Sequence, residues 1–98
     1  MIDKNGFLMI EPQNAATEPI RDDLTAATDI LLSLAEKGTA WRGWHTCVCG
    51  ATSGNCDLYV IIGVKKYLTN SLAAHYVACH RDEIPREQMV LVYSLAGR

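Results

Sequence analysis

Ile20, Leu24, Ala27, Leu31 and Leu34 recur at spacings of four, three, four and three residues, a single apolar stripe at the α-helical period. Pro19 suits the first turn of such a helix and Asp22 and Asp23 suit its positive end. Lys37 and Gly38 supply a stop, so the pattern predicts a helix over 19–37. Upstream, Phe7-Leu8-Met9-Ile10 is a short apolar run between Asn5-Gly6 and Pro12. It reads as an edge strand or a free extended segment, making residues 1–16 an N-terminal arm ahead of one domain over 17–98. Downstream, a strand-like piece from Ala40 to Thr46 leads into Cys47-Val48-Cys49-Gly50, a tight turn closed by glycine. Residues 50–57 are loop by composition, and Leu58-Tyr59-Val60-Ile61-Ile62 is a β-branched, aromatic strand. Gly63 to Leu68 turns the chain, and Thr69, Asn70 or Ser71 can cap a helix that carries His75, Cys79 and His80. Asp82-Glu83-Ile84-Pro85 breaks that helix, and Pro85 opens a last one to about Leu95, although Met89–Tyr93 also suits a strand. The sum is a small α+β domain: a hairpin and helix with an additional N-terminal helix packed on them.

At 98 residues the chain has room for one core, and its 49% hydrophobic and 20% charged residues are globular proportions. So small a core gains much from a bound metal. A net charge of −2 gives no general attraction to nucleic acid or to an anionic membrane. The N-terminal residues have neither the basic nor the apolar region of a secretory signal, and no apolar run approaches the roughly 20 residues of a spanning helix. The expected setting is therefore cytoplasmic or particle-associated, a reducing compartment in which four cysteines stay free or bind metal. In a secreted chain, two disulfides would be the competing arrangement, though Cys47 and Cys49 sit too close to pair comfortably with each other.

Those thiols change the picture most. Zinc takes four nitrogen or sulfur donors in a tetrahedron, commonly two from a turn and two from one helix face. Cys47 and Cys49 supply the first pair, and His75 with His80 the second, with Cys79 the rival fourth ligand because it is four residues from His75 on the same helix face. Cys56, in a polar loop, and His45, beside the turn, are spare donors. Each residue also has a plainer reading: His75 as a core histidine, Cys79 as a small buried hydrophobe, Cys47 and Cys49 as structural thiols. Four such donors at these spacings favour Zn2+.

Leu72 lies three residues before His75, where a Cys2His2 zinc finger carries its core leucine, so the stretch 47–80 resembles the helical half of such a finger. It departs from the pattern in its cysteine spacing, one intervening residue, and in the 25 residues between Cys49 and His75 where a finger has about twelve. The resemblance implies a ββα-like site with an enlarged hairpin. A DNA-reading finger contacts bases from helix positions −1, 3 and 6, which fall here on Leu68, Ser71 and Ala74. None is Arg or Lys, so base reading is disfavoured.

A closed four-ligand site leaves no position for substrate, and no phosphate loop or catalytic triad order is present. The expected function is a non-enzymatic zinc-binding module for protein–protein contact, or a structural subunit of a larger assembly such as a phage or bacterial particle. Homo-oligomerisation fits the same role. Trp41, Arg42 and Trp44 ahead of the turn, and Phe7 and Leu8 in the arm, are the candidate partner contacts. Two alternatives remain: a nucleic-acid-associated regulator using Lys65, Lys66, Arg81 and Arg86, and a small zinc-dependent hydrolase in which Asp82 or Glu83 would act. An acidic pair before Pro85 is more simply a solvated helix end.

Overall fold

The computed structural model describes residues 2–3, 6–40, 46–54 and 56–97; for residues 2, 3, 39, 40 and 56 the description stops at the backbone. Trp41, Arg42, Trp44 and His45 fall outside the described residues, as does the side chain of Cys56.

The chain order is β1 (Ile2–Asp3), α1 (Asp23–Ser33), β2 (Glu36–Ala40), β3 (Cys56–Ile62), β4 (Lys65–Thr69), α2 (Ala73–Cys79), a 3-10 turn (Arg81–Glu83) and α3 (Arg86–Leu95). The α+β expectation is met. The strands β2, β3 and β4 form an antiparallel meander, and β1 adds a two-residue parallel edge to β4. Val60 pairs with Tyr67, and both are buried, whereas the next residue along, Ile61, is exposed. Alternation along a strand sends successive side chains to opposite faces, so the Val60/Tyr67 face looks inward. Leu24 of α1, Tyr76 and Val77 of α2, and Val92 of α3 complete one core against that face.

The first helix is shorter than its apolar stripe. Asp22 is its N-cap, accepting from the Thr25 backbone N–H at 3.1 Å, so the helix begins at Asp23 rather than near Pro19. Residues 17–20 serve α2 instead: Thr17 N–H donates to the Cys79 carbonyl at 3.0 Å and Ile20 N–H to the Ala78 carbonyl at 2.9 Å. Carbonyls at a helix C-terminus have no partner within the helix, and this segment supplies donors to two of them. At the other end Leu34 leaves helical geometry and is 78% exposed, so the inward stripe reduces to buried Leu24 with half-buried Ala27 and Leu31. Gly38 is not a helix stop but a β2 residue, and the Tyr59 ring occupies the place a Cβ would take.

Phe7-Leu8 is not a free arm. Both side chains are fully buried, Phe7 N–H donates to the Leu68 carbonyl at 2.8 Å, and Thr69 Oγ1 donates to the Phe7 carbonyl at 2.7 Å. The run forms no strand, because Leu8 takes a left-handed φ of 52° and its N–H donates to Gln88 Oε1 at 2.9 Å. A non-glycine residue there costs roughly 1–2 kcal/mol, which burying both side chains offsets. Phe7 and Leu8 are thus core residues and are not exposed partner contacts. The expected turn over 63–68 is mostly β4, since a two-residue loop at Gly63-Val64 closes the hairpin. The last helix is present, and Met89–Tyr93 belongs to it.

Candidate metal centre

Cys47 and Cys49 come from a compact loop braced by its own backbone. The Cys47 N–H donates to the Ala51 carbonyl at 2.7 Å, the Gly50 N–H to the Cys47 carbonyl at 2.9 Å, and Thr46 bridges Thr52. Gly50 has a φ of 95°, a conformation that the absence of a Cβ permits and that lets the chain reverse directly after the second cysteine. The backbone N–H groups of Val48 and Cys49 are directed at the Cys47 sulfur, and that of Ala51 at the Cys49 sulfur. Donors aimed at sulfur favour the thiolate, the form that binds metal.

The histidines come from α2. The N-cap is Leu72, without a side-chain cap bond, rather than Thr69, Asn70 or Ser71; Asn70 Oδ1 instead accepts the Leu72 N–H at 2.8 Å just before the helix starts. His75 sits inside the helix, while His80 is its C-cap with φ −132° and ψ 33°. In an unbroken helix a residue five positions on would face well away from His75. The departure from helical geometry at His80 brings the two rings to 5.0 Å between centroids in an edge-on arrangement.

Cys47 Sγ lies 3.2 Å from His80 Nε2 and Cys49 Sγ 3.2 Å from His75 Nε2, and one donor atom from each of the four residues falls within 4.8 Å of every other. Zinc bonds of about 2.3 Å to sulfur and about 2.0 Å to nitrogen place ligand atoms roughly 3.3–3.8 Å apart in a tetrahedron. The observed separations bracket that range. Two separate thiol–imidazole hydrogen bonds would satisfy each pair but give no reason for all four groups to converge. Cys47, Cys49, His75 and His80 therefore form a cluster that can hold one metal ion, and the donor chemistry is compatible with zinc. Cys79 is outside the cluster; it is buried on α2, its carbonyl taken by Thr17. Cys47, Cys49 and Cys79 are all free thiols.

The electrostatics separate the two cysteines. Burial pushes the Cys47 thiol up, whereas the Ala51 N–H, followed by the His80 ring, brings the Cys49 thiol down. Burial and then the neighbouring His80 lower His75, which favours the neutral imidazole needed for ligation. Beyond the cluster, Glu83 Oε1 accepts the Gln13 N–H at 2.7 Å, a bond that leads the causes holding its carboxyl below the usual carboxylate range. The segment Met9–Gln13 so tethered forms one wall of a cavity of about 340 Å³ whose other wall includes Cys47, Asn70 and Tyr76.

The candidate phosphate-binding side chains are dispersed and partly committed. Arg81 makes a two-pronged pair with Asp22 at 2.7 and 2.9 Å and also donates from Nε to the Val77 carbonyl at 3.0 Å. Lys66 pairs with Glu36 at 2.9 Å. Lys65 and Arg86 are exposed. The sequence offered Glu83 only as the acid of the hydrolase alternative and favoured a solvated helix end; its placement 3.4 Å from His80 Nδ1 was missed, and its position three residues after His80 was the available signal. Among the described residues no helix is long and apolar enough to cross a membrane. No protein-family model, curated protein or solved structure matches the chain.

Proposed function

We propose that the four side chains bind one zinc ion as a closed structural site, and that the protein is a non-enzymatic module for protein–protein contact or assembly. The observation that carries the zinc assignment is the convergence of two thiols and two imidazoles, donated by a glycine-closed loop and a helix end, within 4.8 Å. The arrangement is finger-like in that sense, with the β3–β4 hairpin inserted between the two ligand pairs. With four protein ligands, zinc keeps no open position for water or substrate, which speaks against a hydrolase. Glu83, the acid such an enzyme would use, is occupied by the backbone N–H groups of Gln13 and Asn14.

The nucleic-acid reading loses support from the same side chains it needs, because Arg81 is held by Asp22 and Lys66 by Glu36. Protein contact is supported instead by apolar side chains facing water. Leu34 and Ile61, 78% and 67% exposed, line one surface recess, and Val64 at the hairpin tip is 100% exposed. Trp41, Arg42 and Trp44 remain part of this proposal on residue type alone.

Protein purified without added metal should carry one zinc per chain by elemental analysis, and a chelator should lower its melting temperature. Metal-free protein whose melting temperature ignores chelator would remove the reading. Partner capture that persists at moderate salt supports the protein-contact role, while tight binding to DNA or RNA that collapses as salt rises would replace it.

A further inference from the structure

His80 is 3% exposed, and its Nδ1 is buried without a hydrogen bond of full geometry. Glu83 Oε2 lies 3.4 Å from it. The other ring nitrogen, Nε2, faces the cysteine sulfurs. A neutral imidazole that ligates through Nε2 must carry its proton on Nδ1, and a buried N–H of that kind requires an acceptor. The 3-10 turn places Glu83 one turn beyond His80, with its carboxylate on the ring's far side from the cluster. The same carboxylate accepts from the backbone N–H groups of Gln13 at 2.7 Å and Asn14 at 3.3 Å.

We propose that Glu83 is the positioning residue of the metal centre, accepting the Nδ1–H of metal-bound His80 and tying the order of residues 13–14 to metal binding. The proposal rests on the zinc reading above. Ligating histidines almost always donate their second N–H to a carboxylate, carbonyl or water, which fixes the tautomer and ring orientation and makes the ligating nitrogen more basic. Here that partner has a second duty. A carboxylate already held by two backbone donors is pre-oriented for the ring, so metal binding and the tether at residues 13–14 support each other. Such coupling is reciprocal: whatever the tether adds to metal affinity, the metal adds to the stability of the tether.

The test uses the full chain and zinc alone. Zinc affinity is measured by competition with a chromogenic chelator for wild type, Glu83→Gln and Glu83→Ala, with circular dichroism to establish that each folds. Removal of an outer-shell partner costs about 10–100-fold in metal affinity. Glu83→Ala should weaken zinc by that much, and Glu83→Gln, which keeps an acceptor oxygen but loses the charge, should fall between. Amide exchange at Gln13 and Asn14 should slow on adding zinc in wild type and not in Glu83→Ala, a readout that a carboxylate merely bracing the loop would not move. Wild-type affinity in a folded Glu83→Ala, or exchange at 13–14 that ignores zinc in wild type, overturns the proposal. If wild type itself binds no zinc, the failure belongs to the zinc reading; if wild type binds and the variants match it, only the role of Glu83 fails.

Discussion

Phe7, Val60, Val77 and Val92 are each at or below 2% exposure in one apolar cluster that Cys47, at 4%, also joins, whereas His80, at 3%, is buried to nearly the same degree as a polar donor. The first group stabilises the fold by leaving water, at roughly 25 cal/mol per Å2 of apolar surface. For His80 burial has the opposite sign, since an imidazole gives up hydration that only a partner restores. One region is stabilised by burial alone, and on the proposed zinc reading the other depends on a bound ion. Equal burial does not mean equal contribution.

Core truncation should show the largest effect and should be indifferent to metal. Phe7→Ala is expected to lose about 3–5 kcal/mol of unfolding free energy, by the same amount with zinc and with chelator. An increment that depends on zinc would mean the two regions are not separate. Cys49→Ser, at the exposed ligand, tests the other side: it should abolish the zinc-dependent part of the stability, about 2.7 kcal/mol where free zinc is a hundred times its dissociation constant, and leave the chelated protein little changed. Denaturant titrations of both variants in both conditions make the comparison directly.

Asp22 joins two elements, capping α1 and gripping Arg81 in the 3-10 turn that follows α2. Asp22→Ala should cost about 0.5–2 kcal/mol through the lost cap. Hydrogen bonding from Arg81 holds the Asp22 carboxyl well below the usual carboxylate range. A folded-state value lowered in this way means that the unfolded chain takes up the proton first. The stabilisation from the charged form is thus complete above about pH 4 and fades as the pH falls further. The stability gap between wild type and Asp22→Asn should close over that acid range; a gap constant with pH would separate the cap from the ion pair. The smallest effect belongs to Leu34→Asp, expected within about 0.5 kcal/mol of wild type by denaturant titration, because the side chain already faces water.

The donor set was legible because thiols and imidazoles are scarce and their spacing suits a turn and a helix. His80 was preferred there to Cys79, but the backbone geometry that brings it to the cluster was not legible. It depends on His80 abandoning helical φ and ψ, which no i, i+4 rule anticipates. The long helix failed at both ends for tertiary reasons: Thr17 and Ile20 give their N–H groups to α2, and Leu34 continues the stripe in sequence after the helix has stopped. Phe7-Leu8 misled because a short apolar run carries no sign of whether it docks or dangles; only the bonds to Leu68, Thr69 and Gln88 decide that. Glu83 looked like a solvated acid before proline, and its neighbours Gln13 and Asn14 are far away in sequence.

X-ray absorption at the zinc edge on protein isolated without added metal tests the central claim most directly. One zinc per chain is predicted, with two sulfur ligands at about 2.3 Å and two nitrogen ligands at about 2.0–2.1 Å, and an unchanged shell in Cys79→Ser. A three-sulfur shell that loses one sulfur in Cys79→Ser, a shell containing oxygen, or protein without metal would contradict it.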